Sequence, residues 1–148
     1  MSNREDIAVN VLQVLQDMNP PRPVLVTREP FDVEKLAITQ FPAVLITTGS
    51  EAREDNAMGG GRRGVIDIQI RGFVRADGRS AQIITVDQKR NELIERIEEA
   101  LNTDRTRELS GKASTTRVRS IEVVDRTPPL GEFLINVDVR YSFTKGAL

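Results

Sequence analysis

Carboxylates, Lys and Arg are the side chains that this chain of 148 residues could use for chemistry, because it contains neither Cys nor His. Thiolate nucleophiles, disulfides and the commonest transition-metal ligand are therefore absent. An enzyme without His or Cys would have to depend on carboxylates or Lys for proton exchange. The sequence thus favours a protein that is not an enzyme, with no catalytic residue, metal site or cofactor.

Acidic side chains are concentrated in one amphipathic stretch, and they could in principle bind a hard cation. They are Asp87, Glu92, Glu95, Glu98 and Glu99. Neither EF-hand spacing nor a Glu-x-x-His motif accompanies them. The solvent-exposed face of a helix is the favoured interpretation.

A basic stretch follows, with a net charge of +3 over residues 104–119. Its cations are Arg105, Arg107, Lys112, Arg117 and Arg119. Such a patch could bind phosphates, but no aromatic residue is interleaved to stack on bases. The whole chain has 21 basic and 22 acidic residues, so it has no overall field that attracts nucleic acid. A solvated or subunit-contacting loop is favoured over a nucleic-acid binder.

Hydrophobic periodicity predicts the elements that position these side chains. Apolar residues at helical spacing predict helices over Asn3–Met18 and Ala81–Leu101, and Asp32–Leu36 is predicted to form one helical turn. Alternating or apolar runs predict strands at Val24–Thr27, Ala43–Thr48, Val65–Arg75, Val118–Asp125 and Phe133–Phe143. A mobile connection is expected over Asn102–Thr116. The predicted fold is a single α+β domain over residues 1–148, a two-layer sandwich. Its mostly antiparallel sheet has about four to five strands, with two helices on one face.

The segment Gly49–Gly64 joins two predicted strands and is much longer than an ordinary hairpin loop, which has about 2–5 residues. It carries charges of both signs and three consecutive glycines. We interpret it as an arm that contacts another protein and becomes ordered on assembly. The predicted contact residues are Arg53, Met58, Arg62 and Arg63.

Polar residues alternate with apolar residues along two of the predicted strands. Asp67 and Arg71 lie on one strand, and Asp138 and Arg140 lie on the other. They predict a polar sheet face. This face is either a solvated surface with cross-strand ion pairs or the lining of a water-filled passage, and the sequence leaves both open.

The order of elements resembles the tail terminator (tail-completion) proteins of tailed bacteriophages, and the resemblance covers nearly the whole chain. It depends on the helix Asn3–Met18 leading to a strand near Val26, and on the run Phe41-Pro42-Ala43-Val44-Leu45-Ile46. The arm Glu51–Arg63, the strand Val65–Arg75, the long helix and the two last strands continue it. The family has no catalytic residues to carry over.

The resemblance implies a structural virion protein that forms a hexameric ring, caps the tail tube, stops its polymerisation and joins the tail to the head–neck complex. Its implied partners are further copies of itself, the tail tube protein, a neck or connector protein and, in a contractile tail, the sheath. DNA would only pass through, and no membrane is involved. The protein would be made in the host cytoplasm and reside at the head-proximal end of the tail. Another neck or head-closure protein, and a small carboxylate-dependent enzyme, are the alternatives.

Overall fold

A computed structural model of the protein describes residues 3–18, 22–55, 61–76, 85–103, 113, 115–127 and 129–144. It contains two α-helices, five strands and two short 3-10 turns in these residues. The helices are α1 (Asn3–Asp17) and α2 (Val86–Thr103), and the 3-10 turns are Val33–Lys35 and Ile38–Gln40. The strands are β1 (Leu25–Thr27), β2 (Ala43–Asp55), β3 (Gly61–Arg75), β4 (Thr115–Val124) and β5 (Leu130–Thr144).

The strands form one sheet in the order β1-β2-β3-β5-β4. β1 is parallel to β2, and the other neighbours are antiparallel. The parallel pair is possible because residues 28–42 carry the chain back to the end of the sheet where β1 begins. The α+β fold, with a mostly antiparallel five-stranded sheet and two helices, confirms the prediction from the sequence.

Both helices pack on the same face of the sheet, which we call the helix-side face. α1 buries Ile7, Val11 and Leu15, and α2 buries Ile97 and Leu101. The strands beneath them alternate, so one side chain in two points into the core. Among the buried side chains of β3 and β5 are Ile66, Ile68, Ile70, Ile135, Val137 and Val139, each of which is 0% exposed. Burial of each such side chain stabilises the fold by about 1.5–3 kcal/mol.

Close packing within the sheet explains one glycine of β3. The ring of Phe133 lies over Gly72, its partner on β5. A Cβ at residue 72 would come within 2.0 Å of the ring. Only a residue without a side chain leaves room for this buried aromatic ring.

The opposite face of the sheet, which we call the open face, is partly covered by the segment between β1 and β2. The ring of Phe31 packs edge-on against Phe73, with 5.5 Å between centroids, and Val33 in the first 3-10 turn is buried. Phe73 is itself only 5% exposed. The face predicted to be polar from Asp67, Arg71, Asp138 and Arg140 therefore also carries a buried apolar contact.

Several boundaries differ from the sequence predictions. α1 and the helical turn near Val33 are confirmed, whereas Asn102–Thr103 belong to α2 and Thr115–Thr116 to β4, not to a loop. The predicted first turn of α2 at 81–84 and most of the predicted mobile connection lie outside the described residues. The largest difference is that β2 and β3 continue far into the predicted arm.

Candidate assembly surface

A long β-hairpin extends the sheet beyond the helices. β2 and β3 stay paired as far as Asp55 and Arg62, and β5 accompanies β3 to the pair Gly61 and Thr144. We call Gly49–Asp55 and Gly61–Gly64 the hairpin extension. Its strand pairing corrects the predicted strand ends at Thr48 and Val65, while residues 56–60 of the predicted arm lie outside the described residues. β5 supplies a long regular partner for β3, and its backbone hydrogen bonds override the weak strand propensity of Gly and charged residues.

The extension is bent where it leaves the helix-covered part of the sheet. The pairing shifts between Thr48 and Glu51, so Gly49 and Ser50 form a bulge. The Arg4 guanidinium, in the first turn of α1, donates a hydrogen bond of 2.5 Å to the carbonyl oxygen of Gly49. A bulge bends a strand and changes the direction of the chain beyond it. Arg4 therefore ties the first helix to the point from which the hairpin extends.

A polar cluster stands next to this bend, on the helix-side face, and we call Arg4, Glu51, Arg53 and Tyr141 the base cluster. The Tyr141 hydroxyl donates to Glu51 Oε2 at 2.6 Å, and Arg4 lies 3.5 Å from Glu51 Oε1. Arg53 Nε donates to the same carboxylate. The Tyr141 ring lies over Gly64, where a Cβ would come within 2.5 Å of it. Gly64 is thus required for the ring that reaches Glu51.

The base cluster shifts two proton equilibria in opposite directions. Burial disfavours the charge of Glu51, but hydrogen bonds from Tyr141, Arg53 and Arg4 outweigh burial and hold its pKa below the usual value. Burial, together with the neighbouring Glu51 carboxylate, raises the pKa of Tyr141 to about 12. At neutral pH Glu51 is therefore ionised and Tyr141 is neutral. A carboxylate with three donors is suited to fixing geometry, because its proton affinity is too low for acid–base exchange near neutrality.

The predicted partner-contact residues have different outcomes. Arg53 is held by Glu51 in the base cluster, although its side chain remains 36% exposed. Arg63 is exposed on β3, opposite Glu54. Arg62 lies in β3 between Asp55 and Phe143 in the strand register, and Met58 is outside the described residues. Their contact with a partner remains a prediction.

Asp67, Arg71, Asp138 and Arg140 alternate onto the open face, but they do not form one cluster. Asp67 and Asp138 are direct partners on β3 and β5, and Arg119 of β4 bridges them with 3.2 Å to each carboxylate. Hydrogen bonds to Asp67 and the charge of Asp138 raise the pKa of Arg119 above its usual value. Arg140 is exposed near the end of β5. Whether this face lines a passage stays a prediction.

Arg71 belongs to a cluster that the sequence prediction missed. Its guanidinium lies 2.5 Å from Glu132, which is 3% exposed, and Arg126 lies 2.6 Å from the other carboxylate oxygen. Arg126 also stacks over Phe73, at 5.4 Å from the ring centroid. The alternation of β5 places Glu132 on the same face as Arg71, which the sequence pattern could have indicated. Its second partner, Arg126, lies outside the predicted strands, so periodicity does not place it.

A cleft of about 300 Å³ lies between α2 and the ends of β2 and β3. Its apolar side chains are Ile38, Phe41, Pro42, Val74 and Leu93, and its charged side chains are Arg22, Arg75, Lys89, Glu92 and Arg96. Glu92 is the one carboxylate in this lining. Paired carboxylates, the arrangement that an acid–base enzyme of this composition would need, are not found there.

The structure describes only the last part of the basic stretch predicted from the sequence. In the basic stretch, Arg117 is exposed on β4 and Arg119 is engaged by Asp67 and Asp138, while Arg105, Arg107 and Lys112 lie outside the described residues. Where the structure describes the chain, no three His, Cys, Asp or Glu side chains are grouped to hold a metal ion. The helices of that same part are too short or too polar to cross a membrane.

Comparisons with known proteins add no assignment. No protein-family model matches the chain, and no curated protein matches it.

Proposed function

We propose that the protein is a structural virion component of the tail terminator kind, which closes a tail tube as a ring of identical subunits. The observation that carries the proposal is the hairpin extension, held rigidly at its base by Arg4, Glu51 and Tyr141. A cyclic ring needs each subunit to give one surface and receive another. A projecting hairpin on a compact two-layer domain provides a surface of this kind.

The order of the elements supports the same proposal. The chain runs helix, short strand, long hairpin, helix and terminal strand pair, as the resemblance to tail terminators implies. The base cluster uses its charges to fix the direction of the hairpin. In such a protein the activity is geometric: one side of the ring matches the last ring of the tube, and the other side does not template another.

Tube growth in vitro tests the proposal. Purified tube protein should polymerise into tubes of uncontrolled length alone, and into shorter tubes with a ring at one end when this protein is present, as seen by electron microscopy. Arg63→Ala should weaken capping by about tenfold, which corresponds to about 1.4 kcal/mol. Its free energy of unfolding should stay within about 0.5 kcal/mol of the wild type, since Arg63 is exposed.

Arg96→Ala on α2 is the matched control, because Arg96 is also an exposed Arg but lies far along the chain from the hairpin. It should cap tubes as the wild type does. Unchanged tube lengths with the wild-type protein would contradict the proposal. Binding to filled heads with no binding to tubes would identify a neck protein instead.

A further inference from the structure

The sheet has two edges where another strand could be added. β1 has three residues and pairs only with Ala43–Leu45, so among the described residues no strand lies beside Ile46–Asp55 of β2 on that side. At the other edge, β4 pairs with β5, and no further strand lies beyond it in the described part of the chain. An unpaired strand backbone is a template for a strand from another chain.

The strand directions make these two edges compatible. β4 is antiparallel to β5, β5 to β3 and β3 to β2, so β4 runs opposite to β2 and to its parallel neighbour β1. A second copy rotated about an axis along the strands would therefore set its β1–β2 edge antiparallel to β4 of the first. The hydrogen-bonded ladder between two copies can therefore form with both copies pointing the same way along the strand direction.

The two edges also correspond in their positions along the strand direction. Val118 of β4 is level with Val137, Ile68 and Thr48 through successive strand pairs. The bulge of β4 follows Val118, and the bulge of β2 follows Thr48. Both edges thus bend at the same level of the sheet. Bulges at edges discourage indiscriminate pairing, and two at one height favour a partner with the same bend.

Apolar side chains are exposed at both edges. Ile121 and Val123 belong to the helix-side face, since they pair with Ile135 and Phe133, yet they are 41% and 54% exposed. Val24, directly before β1, is 62% exposed. A neighbouring sheet with its own helix layer would cover Ile121 and Val123.

We propose that β4 of one copy pairs antiparallel with the β1–β2 edge of the next copy, so that the sheets of neighbouring subunits join. The contact is heterologous, since each copy gives β4 and receives it at the opposite edge. The inference rests on the proposed ring for its closure, because heterologous contacts produce a ring only when the rotation closes.

Cross-linking in this chain without Cys gives a direct test. Glu122→Cys on β4 and Thr47→Cys on β2 place thiols on exposed open-face positions of the two edges. Treated with a short bis-maleimide, a mixture of the two single variants should give a covalent dimer, and neither variant should do so alone. The double variant should give a ladder of covalent oligomers. Glu95→Cys, exposed on α2, is the control for random collision.

A second pair of variants measures the strength of the contact. Val123→Lys should weaken association by at least about tenfold in sedimentation equilibrium, while the control Val9→Lys on α1, also an exposed Val at 41%, should leave it unchanged. Both variants should keep the helical circular dichroism of the wild type.

Other outcomes overturn the edge pairing. A covalent dimer of Glu122→Cys alone would show that β4 pairs with β4, and absence of cross-links in the mixture would show that the edges do not meet. If tubes are still capped in that case, the proposed function stands without this contact. If cross-links form as expected but tubes grow uncapped, the pairing stands and the proposed function fails.

Discussion

The helix-covered part of the sheet and the hairpin extension are built from the same strands but have opposite chemistry on the same face. Under the helices, β3 and β5 present Ile and Val side chains that are 0% exposed. Beyond the bulge at Gly49, that face presents Glu51 and Arg53 beside the buried ring of Tyr141. β3 and β5 thus continue without interruption from the hydrophobic core into the hairpin extension. Most of the stability comes from the first part, whereas the second part fixes the direction of the hairpin.

The largest effect is expected from truncation in the helix-covered part. Ile68→Ala should lower the free energy of unfolding by about 3 kcal/mol, because it removes buried methyl groups and leaves a cavity. Gln69→Ala, its neighbour on the open face, should change it by less than about 0.5 kcal/mol. Urea denaturation measures both. Equal effects would show that the two faces of β3 do not differ as described.

A smaller effect is expected at the base of the hairpin. Tyr141→Phe removes the donor to the ionised Glu51 and should cost about 1.5–2 kcal/mol, the lower part of the range for hydrogen bonds to charged groups. Hydrogen exchange should become faster at Glu51–Asp55, with little change at Ile66–Ile70. Faster exchange in both regions alike would mean that the extension and the core open as one unit.

The pH dependence of the base cluster can be followed through its tyrosine, which is the single Tyr in a chain without Trp. Phenolate absorbance should titrate with a pKa of about 12 in the folded protein and near 10 in urea. Since the folded pKa is raised, the stabilisation from neutral Tyr141 is complete below pH 10 and is lost as the pH rises towards 12. A folded midpoint near 10 would contradict the contact with Glu51.

Glu51 stabilises the fold with the opposite pH dependence, because its contribution is lost at low pH. Its folded pKa is lowered, so its stabilisation is present above 4.5, the usual value, and is lost as the pH falls through the folded pKa. Glu51→Gln should therefore reduce the loss of stability on acidification, and it should also lower the folded pKa of Tyr141. Thermal unfolding across acidic pH compares the variant with the wild type.

The smallest effect is expected on the open face. Arg119→Ala leaves Asp67 and Asp138 facing each other without the bridging cation, and like charges directly opposite are destabilising. The urea midpoint should fall by less than in Tyr141→Phe, and more at low salt than at high salt. Asp67→Asn in the same background should recover most of the loss. A midpoint unaffected by salt would indicate that the bridge has no energetic role.

Much of the fold could be predicted from the sequence because hydrophobic periodicity reflects local burial. The alternation of Phe133, Ile135, Val137 and Val139 predicted β5, and the spacing from Ile7 to Leu15 predicted α1. The length of β2 could not be predicted in this way. Residues 49–55 have a polar, glycine-containing sequence, and they form a strand because β3 pairs beside them.

The site was less predictable, because its clusters join residues far apart in the chain. Glu51 and Tyr141 are brought together by the order of the strands, which no local pattern specifies. Glu132 was missed because its partners Arg71 and Arg126 come from distant parts of the chain, which no local pattern brings together. Periodicity also gives no account of Arg90 on α2, whose side chain is only 12% exposed and whose Nε is buried.

Native mass spectrometry of the purified protein, with and without tail tubes, measures whether the subunits form the proposed ring. A complex of six copies at the tube end is expected. A monomer that stays a monomer and does not bind tubes would contradict it.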